Sequence, residues 1–342
     1  MLDVSNARPI GILAGYLTAC AALAAISITS IYRKAASSNA VSRRRNAIIV
    51  FSALAALSLA TTWYHMFRFF QWSYQQWEST RLERLDGTLH LGEWLRDTTL
   101  FKQAWVSTLE EPPRAWWSLQ IFAHCANWSV MLASYDKKRK IPHLWVFMLL
   151  GQIVAISFAA NLSFLAFLVF EDTDPTGRAT RKATQKDKKQ PFSGETHSAL
   201  RNSWLAVLTA TIGCVLAIPW NLDHPKFMYL LLAPHVLAFA PLLLNKLISG
   251  SERGVMDEQP PGKVRASVRA VVVGAAIYNL FDAGTGREWA SVMRALTDHP
   301  AVSSVGWDVI CCWISFTAWH TVNWADDWEE KHGIPPFTPG PI

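Results

Sequence analysis

Apolar residues in this chain gather into long runs separated by charged segments; they do not alternate with polar ones. Eight runs, Ile10–Tyr32, Ala47–Phe70, Arg114–Tyr135, Pro142–Phe170, Asn202–Trp220, Phe227–Ile248, Val264–Asp282 and Val302–Trp324, have about the length a helix needs. A ~30 Å hydrocarbon core takes ~20 residues at ~1.5 Å rise. The pattern predicts an all-α polytopic membrane protein, a bundle of about eight transmembrane helices with both termini on one side. A single domain over residues 1–342 is expected. The first run lacks a basic n-region and a cleavage site, so it reads as an anchor, not a leader.

The connections carry the polar signal. Gln71–Pro113 is net acidic, and within it Trp94, Thr98, Phe101 and Trp105 recur at helical spacing. That predicts an amphipathic helix lying on the membrane surface or covering a cavity. Residues 171–201 form a basic stretch without periodicity, expected to be a flexible linker, and residues 326–342 an unstructured tail. Arg33, Lys34, Arg43–Arg45 and Asp136–Lys140 mark their loops as cytoplasmic. With eight spans, however, the equally basic 171–201 stretch falls on the opposite side, against the same rule.

Composition sharpens this picture in three places. The net charge of +6 sits mainly between apolar runs, which points to lipid headgroups and not to nucleic acid. The five cysteines all lie inside apolar runs with no CxxC pair, so neither disulfides nor a metal site is expected. The 17 tryptophans exceed what interfacial belts require. Trp72, Trp116, Trp145, Trp204, Trp220 and Trp324 fit helix ends, whereas Trp63, Trp128, Trp313 and Trp319 lie deeper. No GxSxG elbow, HExxH, P-loop or dinucleotide fingerprint is present.

The chemistry worth singling out is a carboxylate inside the last run. Asp308 lies about two turns in, and a mid-helix acid costs ~2.5–3.5 kcal/mol on insertion scales. It must therefore face protein or a polar cavity. Cys312, Ser315 and Trp319 follow it on one helical stripe. Gln120, His124 and Asn127 form a polar ridge in the third run, next to Trp128, and Asn279 and Asp282 end the seventh. The economical arrangement gathers these groups around one cavity. A protonated carboxyl in a dry, aromatic-walled pocket suits proton delivery to an epoxide or alkene. Indole faces such as Trp307, Trp313 and Trp319 would stabilise the carbocation at ~0.5–2 kcal/mol per contact. Two other classes fit parts of the pattern. His65, His124, His235 and His320 lie in four runs and could hold two bis-histidine haems. A non-enzymatic transporter or scaffold needs only a sealed polar seam.

The stretch Gly306-Trp307-Asp308, preceded by His299-Pro300-Ala301-Val302-Ser303-Ser304-Val305, resembles the last helix of the integral-membrane terpene cyclases of fungal meroterpenoid pathways, the ascochlorin and ascofuranone type. The resemblance is specific over about Asn279–Trp324 and general elsewhere. It implies metal-independent, cofactor-free, proton-initiated cyclisation of a farnesylated aromatic epoxide, a lipophilic substrate, in the endoplasmic reticulum or another endomembrane. Such cyclases use two acids. Asp308 matches the one near the C-terminus, and the second would be Asp282, Glu78 or Glu93.

Overall fold

The structure is a computed structural model and describes residues 7–37, 44–81, 89–139, 141–170, 207, 209–249 and 288–332. Among these residues all regular structure is helical. Three helices are long and apolar enough to cross a membrane: α1 (Ala7–Ala36), α2 (Arg45–Ser79) and the first 27 residues of α11 (Pro300–His332), over Pro300–Asp326. Between them lie α3 (Leu91–Asp97), α4 (Leu100–Ser107), α5 (Pro112–Arg139), α6 (Leu144–Ile153), α7 (Ile156–Val169), α8 (Phe227–Leu237), α9 (Ala240–Ser249) and α10 (Glu288–Asp298).

α2 and α11 pack antiparallel along their whole shared length. Arg44 pairs with Asp326 at 2.9 Å at one end, Ser304 donates to the Thr62 carbonyl at 3.0 Å midway, and Phe69 meets His299 at the other end. Against this pair packs a core of stacked rings contributed by α5, α7 and α11, with Trp319 on Phe164 at 4.9 Å and Tyr135 on Phe167 at 4.1 Å. α1 is peripheral. Cys20, Ser27 and Ile31 are its buried residues, while Ile10, Ile12, Ile26 and Ile28 face outward, as a lipid-exposed helix requires.

The fourth apolar run departs from the single span expected over Pro142–Phe170. α6 and α7 are separated by an extended Ala155 (φ −169°, ψ 138°) and fold back on one another. A Cβ built on Gly151 of α6 would lie 3.5 Å from the Ala159 Cβ of α7. Residues eight apart in one continuous helix stand ~12 Å apart along its axis. Entry to α6 is a tight reversal through His143, in the left-handed region at φ 59°. The hairpin's open end lies beside the last turns of α5, where Tyr135 stacks on Phe167, and beside the end of α1, where Lys34 stands over Phe170. Its tip lies inside the bundle against Tyr16, Cys125 and Asp308. At ~15–20 Å, each arm is about half as long as the ~30 Å hydrocarbon core of a bilayer.

Two further expectations are adjusted. The second run continues as helix to Ser79, so α2 extends beyond the polar boundary expected at Phe70. The amphipathic stretch is two short helices, broken at an extended Thr98 whose hydroxyl turns back to the Trp94 carbonyl at 2.6 Å. The projecting end of α2 holds both. Trp94 Nε1 donates to Ser73, Ser73 donates to Gln103, and Trp77 Nε1 donates to Asp97. Arg81 closes the cluster on Glu93 at 2.7 Å and Asp97 at 3.1 Å. The sixth run is likewise divided, into α8 and α9 at Ala238–Phe239, just ahead of Pro241.

Candidate functional site

The tip of the α6–α7 hairpin exposes two sets of unpaired backbone groups, the last carbonyls of α6 and the first amides of α7. Neither end carries a local cap, since Ala155 at the α7 N-cap offers no acceptor. Other helices supply what is missing. Asp308 of α11 accepts the Ile156 N–H at 3.0 Å through one oxygen and the Ser157 N–H at 2.8 Å through the other. On the opposite side the Tyr16 hydroxyl and, more weakly, the Cys20 thiol donate to the Ile153 carbonyl. A helix N-terminus concentrates positive potential, so a carboxylate there is both hydrogen-bonded and electrostatically matched.

A polar layer continues from Asp308 across the bundle. The Asn161 amide donates to Ser315 at 2.8 Å, to the Ser157 carbonyl at 2.9 Å and, at 3.4 Å, to Ser58. One buried acceptor in this layer, Asn161 Oδ1, has no hydrogen-bond partner. Cys125, Cys311 and Cys312 lie around Asp308, with Cys125 accepting from Gln152 at 3.0 Å.

One helical turn outward from Asp308 a small, half-open pocket of about 110 Å³ lies between α2, α4 and α11. Met66, Phe69, Ala104, Trp105, Thr108, Ala301, Ser304 and Val305 line it. Ala301, Ser304 and Asp308 fall at i, i+3 and i+7, one stripe of α11. The pocket and the carboxylate therefore belong to the same helix face. α4, the second half of the amphipathic stretch, forms the pocket's cover.

The other residues singled out in the sequence are dispersed. Trp319 and Trp128 are core residues, the first stacked on Phe164 and the second donating to Ser163 at 3.1 Å. Trp307 and Trp313 are 36% and 38% exposed on the bundle's outer surface, Trp313 leaning on Trp116 and Trp117. His124 packs on Phe316, and Asn127 is half-buried on α5. Glu93 is tied to Arg81, and Glu78 is exposed, both on the projecting end of α2 or its cover. Asp282 and Asn279 lie outside the described residues. Of the four spaced histidines, His124 packs on Phe316, His235 on Trp105 and Phe122, and His65 on Tyr64. Among the described residues no group of three metal-ligating side chains converges.

Sequence reasoning did not find Tyr16, Ser157 or His299. The partners of Asp308 are backbone amides, which no residue type announces. The fold is an all-helical bundle with three helices long and apolar enough to cross a membrane, and this site is a buried carboxylate at the N-terminus of a half-length helix. No family model, curated protein or solved structure matches the chain.

Proposed function

We propose that this protein is an integral-membrane terpene cyclase, resident in the endoplasmic reticulum or a related endomembrane, acting on the terminal epoxide of a farnesylated aromatic. The observation that carries the reading is the placement of Asp308. It is buried, fixed by two backbone amides, and lies on the helix face whose outer turns line an apolar pocket. In the proposed step the protonated carboxyl delivers its proton to the epoxide oxygen. The C–O bond to the more substituted carbon breaks, and a chain alkene attacks that carbon. The charge passes along the chain until a proton is lost, so the product is an isomer of the substrate. The Ile156 and Ser157 amides stabilise the carboxylate left when the proton departs, the arrangement by which preorganised donors accelerate charge-developing steps. Phe69 and Trp105 offer ring faces to the migrating cation.

In the same reading the bundle has seven crossings and one re-entrant hairpin in place of eight crossings. Among the described helices the crossings are α1, α2, α5, α8–α9 and α11; the two further crossings are those the sequence assigns to the 202–220 and 264–282 runs, the latter outside the described residues. The hairpin enters and leaves on one side, so the 171–201 stretch starts on the same side as Lys34 and the DKKRK segment, and the two termini lie on opposite sides.

A second reading is favoured by one observation: both Asp308 oxygens already accept a hydrogen bond. On that reading Asp308 is a structural clamp in a scaffold or transporter. Membranes carrying the full chain, incubated with epoxidised farnesyl-phenols, separate the two. The cyclase reading expects cyclised products of unchanged mass. It also expects the Ala155→Ser/Asp308→Asn double variant, whose new serine caps α7 locally, to fold and give none. Absence of any isomer from the parent overturns the cyclase reading. Parent-like turnover by the double variant removes Asp308 from the chemistry.

A further inference from the structure

The pocket beside Asp308 is small for the task the cyclase reading gives it. Its volume is about 110 Å³, whereas sites that enclose an organic ligand measure ~300–1,000 Å³. A wall has to move before a long lipophile can enter. Two of the walls are fastened to each other. Ser304 of α11 donates to the Thr62 carbonyl of α2 at 3.0 Å, Arg44 pairs with Asp326 at 2.9 Å, and Phe51 and Val302 are completely buried.

The third wall, α4, is held differently. Of its eight residues Ser107, at the C-terminal end, is the buried one, and Phe101 is 55% exposed. That end is anchored. Leu109 just beyond it is buried, the Thr108 carbonyl accepts from the Ser118 hydroxyl at 2.9 Å, and Trp105 stacks on Phe122 at 5.3 Å. The other end is a joint, because Thr98 and Thr99 are both non-helical, at φ/ψ of −106°/147° and −102°/67°. Beyond the joint α3 is fastened separately to the end of α2 through Arg81 and Trp77. Among the described residues, the one side-chain hydrogen bond between α4 and α2 runs from Ser73 to Gln103 at 2.7 Å. A helix with so little buried surface belongs to the part of a structure that opens at low cost. The movement required is modest. Eight residues make a face ~12 Å long and ~10 Å wide, so a tilt carrying its free end ~4 Å outward adds ~200 Å³. The two joint residues, with a reach of ~7 Å, permit it.

On the reading of this pocket as the substrate site, we propose that α4 is a lid. It tilts away from α2 about its Trp105–Leu109 anchor when the Ser73–Gln103 bond opens, and so admits a lipophilic molecule. Closure remakes the bond and shuts water from the helix face that carries Asp308.

The test reads opening without turnover. In the full chain with Cys20, Cys125, Cys214, Cys311 and Cys312 replaced, Ser304→Cys places a single thiol in the pocket. In detergent, N-(1-pyrenyl)maleimide, a four-ring reagent too bulky for a pocket this small, should label it slowly. Methyl methanethiosulfonate, which adds one SCH3 group, should label it fast. Gln103→Leu keeps the side chain's bulk and removes the latch, and the Ser73 hydroxyl can turn to the carbonyl one turn back. Pyrenyl labelling should then rise about 5- to 10-fold, the worth of one net hydrogen bond, while methanethiosulfonate labelling holds. A second protein that keeps only Cys312, which has no exposure, should stay unreactive with and without Gln103→Leu. Equal pyrenyl rates with and without Gln103→Leu overturn the latch. A Ser304→Cys protein that takes both reagents at the same speed overturns the lid. A Cys312 thiol that speeds up in step shows the whole bundle opening and overturns it too. Failure of the cyclase reading shows separately, as no isomer from epoxidised farnesyl-phenols, and leaves these rates readable.

Discussion

Asp308 accepts the backbone N–H of Ser157 at 2.8 Å across 151 positions of sequence, and the Ile156 N–H beside it at 3.0 Å. It is thus an N-cap supplied from another helix, and it ties the re-entrant tip to the last span. This bears on the obvious substitution. Asp308→Asn turns one acceptor oxygen into an amide NH2 that faces a backbone donor. The variant should lose ~1–3 kcal/mol of stability, the cost of a buried donor left unpaired. Loss of activity in Asp308→Asn alone therefore does not identify an acid. Ala155 sits at the N-cap in extended conformation, where serine caps well. Ala155→Ser should restore ~1 kcal/mol to the Asp308→Asn variant. Thermal unfolding in detergent checks both values, and an Asp308→Asn protein melting with the parent would show that the cap contributes nothing.

Gly151 is required by the hairpin's own packing. A Cβ there would lie 2.7 Å from Cζ3 of Trp128, a ring with no exposure whose Nε1 is already committed to Ser163. Gly151→Ala should destabilise by ~1–3 kcal/mol through overpacking, partly offset by alanine's ~1 kcal/mol better helix propensity. Gly306 makes a useful contrast. Its added Cβ would meet Leu296 Cδ1, the free end of a flexible side chain, before the Trp117 ring. Gly306→Ala should therefore cost less than Gly151→Ala, and the reverse order in measured melting points would contradict this packing.

How much of this was legible in the sequence depends on where the cause of each feature lies. α1, α2 and α11 follow from long apolar runs alone, because length against bilayer thickness is a one-dimensional property. The fold-back of α6 on α7 was not legible. Val154 and Ala155 include neither glycine nor proline, and the break is stabilised by Asp308, Tyr16 and Cys20 from distant helices. Trp94, Thr98, Phe101 and Trp105 share a helical spacing, but Thr98 turns extended, its N–H and hydroxyl both bound to the Trp94 carbonyl, and closes the first helix there. Asp308 stood out because a carboxylate in an apolar run is rare. The aromatic residues around it could not be ranked, since tryptophan suits the core positions of Trp128 and Trp319 as well as the outward positions of Trp307 and Trp313. Pro300 read as the punctuation before α11, and His299 entered only as the first residue of the stretch that carries the family resemblance.

His299 also makes a pH prediction with a defined sign. Its pKa falls from an ordinary 6.5 to about 4 on folding, through burial first and the Arg114 charge second. Between those values the unfolded chain binds a proton that the folded chain does not. Stability is therefore full above about pH 6.5 and declines as pH falls toward 4. At ~1.4 kcal/mol per unit the upper bound is ~3.5 kcal/mol, reduced by whatever water reaches the ring. Asp97, held below the usual carboxylate range by its bond from Arg96 and further bonds from Trp77 and Arg81, loses its contribution only below 3.8, outside that window. Melting points taken between pH 7 and 4.5 should drop for the parent and drop less for His299→Ser. Parallel curves would show that His299 does not titrate in the folded protein.

The proposed topology makes the re-entrant hairpin decide on which side of the membrane the basic segments lie. Lys34 stands over Phe170, so the end of α1 and the end of α7 share one face of the bundle. α5 delivers its Lys137-Lys138-Arg139 terminus to the same face, and Arg44 opens α2 there, paired with Asp326. The stretch that follows Phe170 carries many of the chain's remaining lysines and arginines. On the proposed topology, a hairpin returning to its entry side would begin the basic 171–201 stretch on that same face, in keeping with the cytoplasmic excess of Lys and Arg, and would remove the conflict that eight full crossings create. In a cysteine-free background, with Cys20, Cys125, Cys214, Cys311 and Cys312 replaced, single cysteines at Ser37 and Thr173 should react with a membrane-impermeant maleimide from the same side, and one at Glu78 from the opposite side. Labelling of Ser37→Cys and Thr173→Cys from opposite sides would mean that residues 144–169 cross the bilayer, and would rule out the re-entrant hairpin in the membrane.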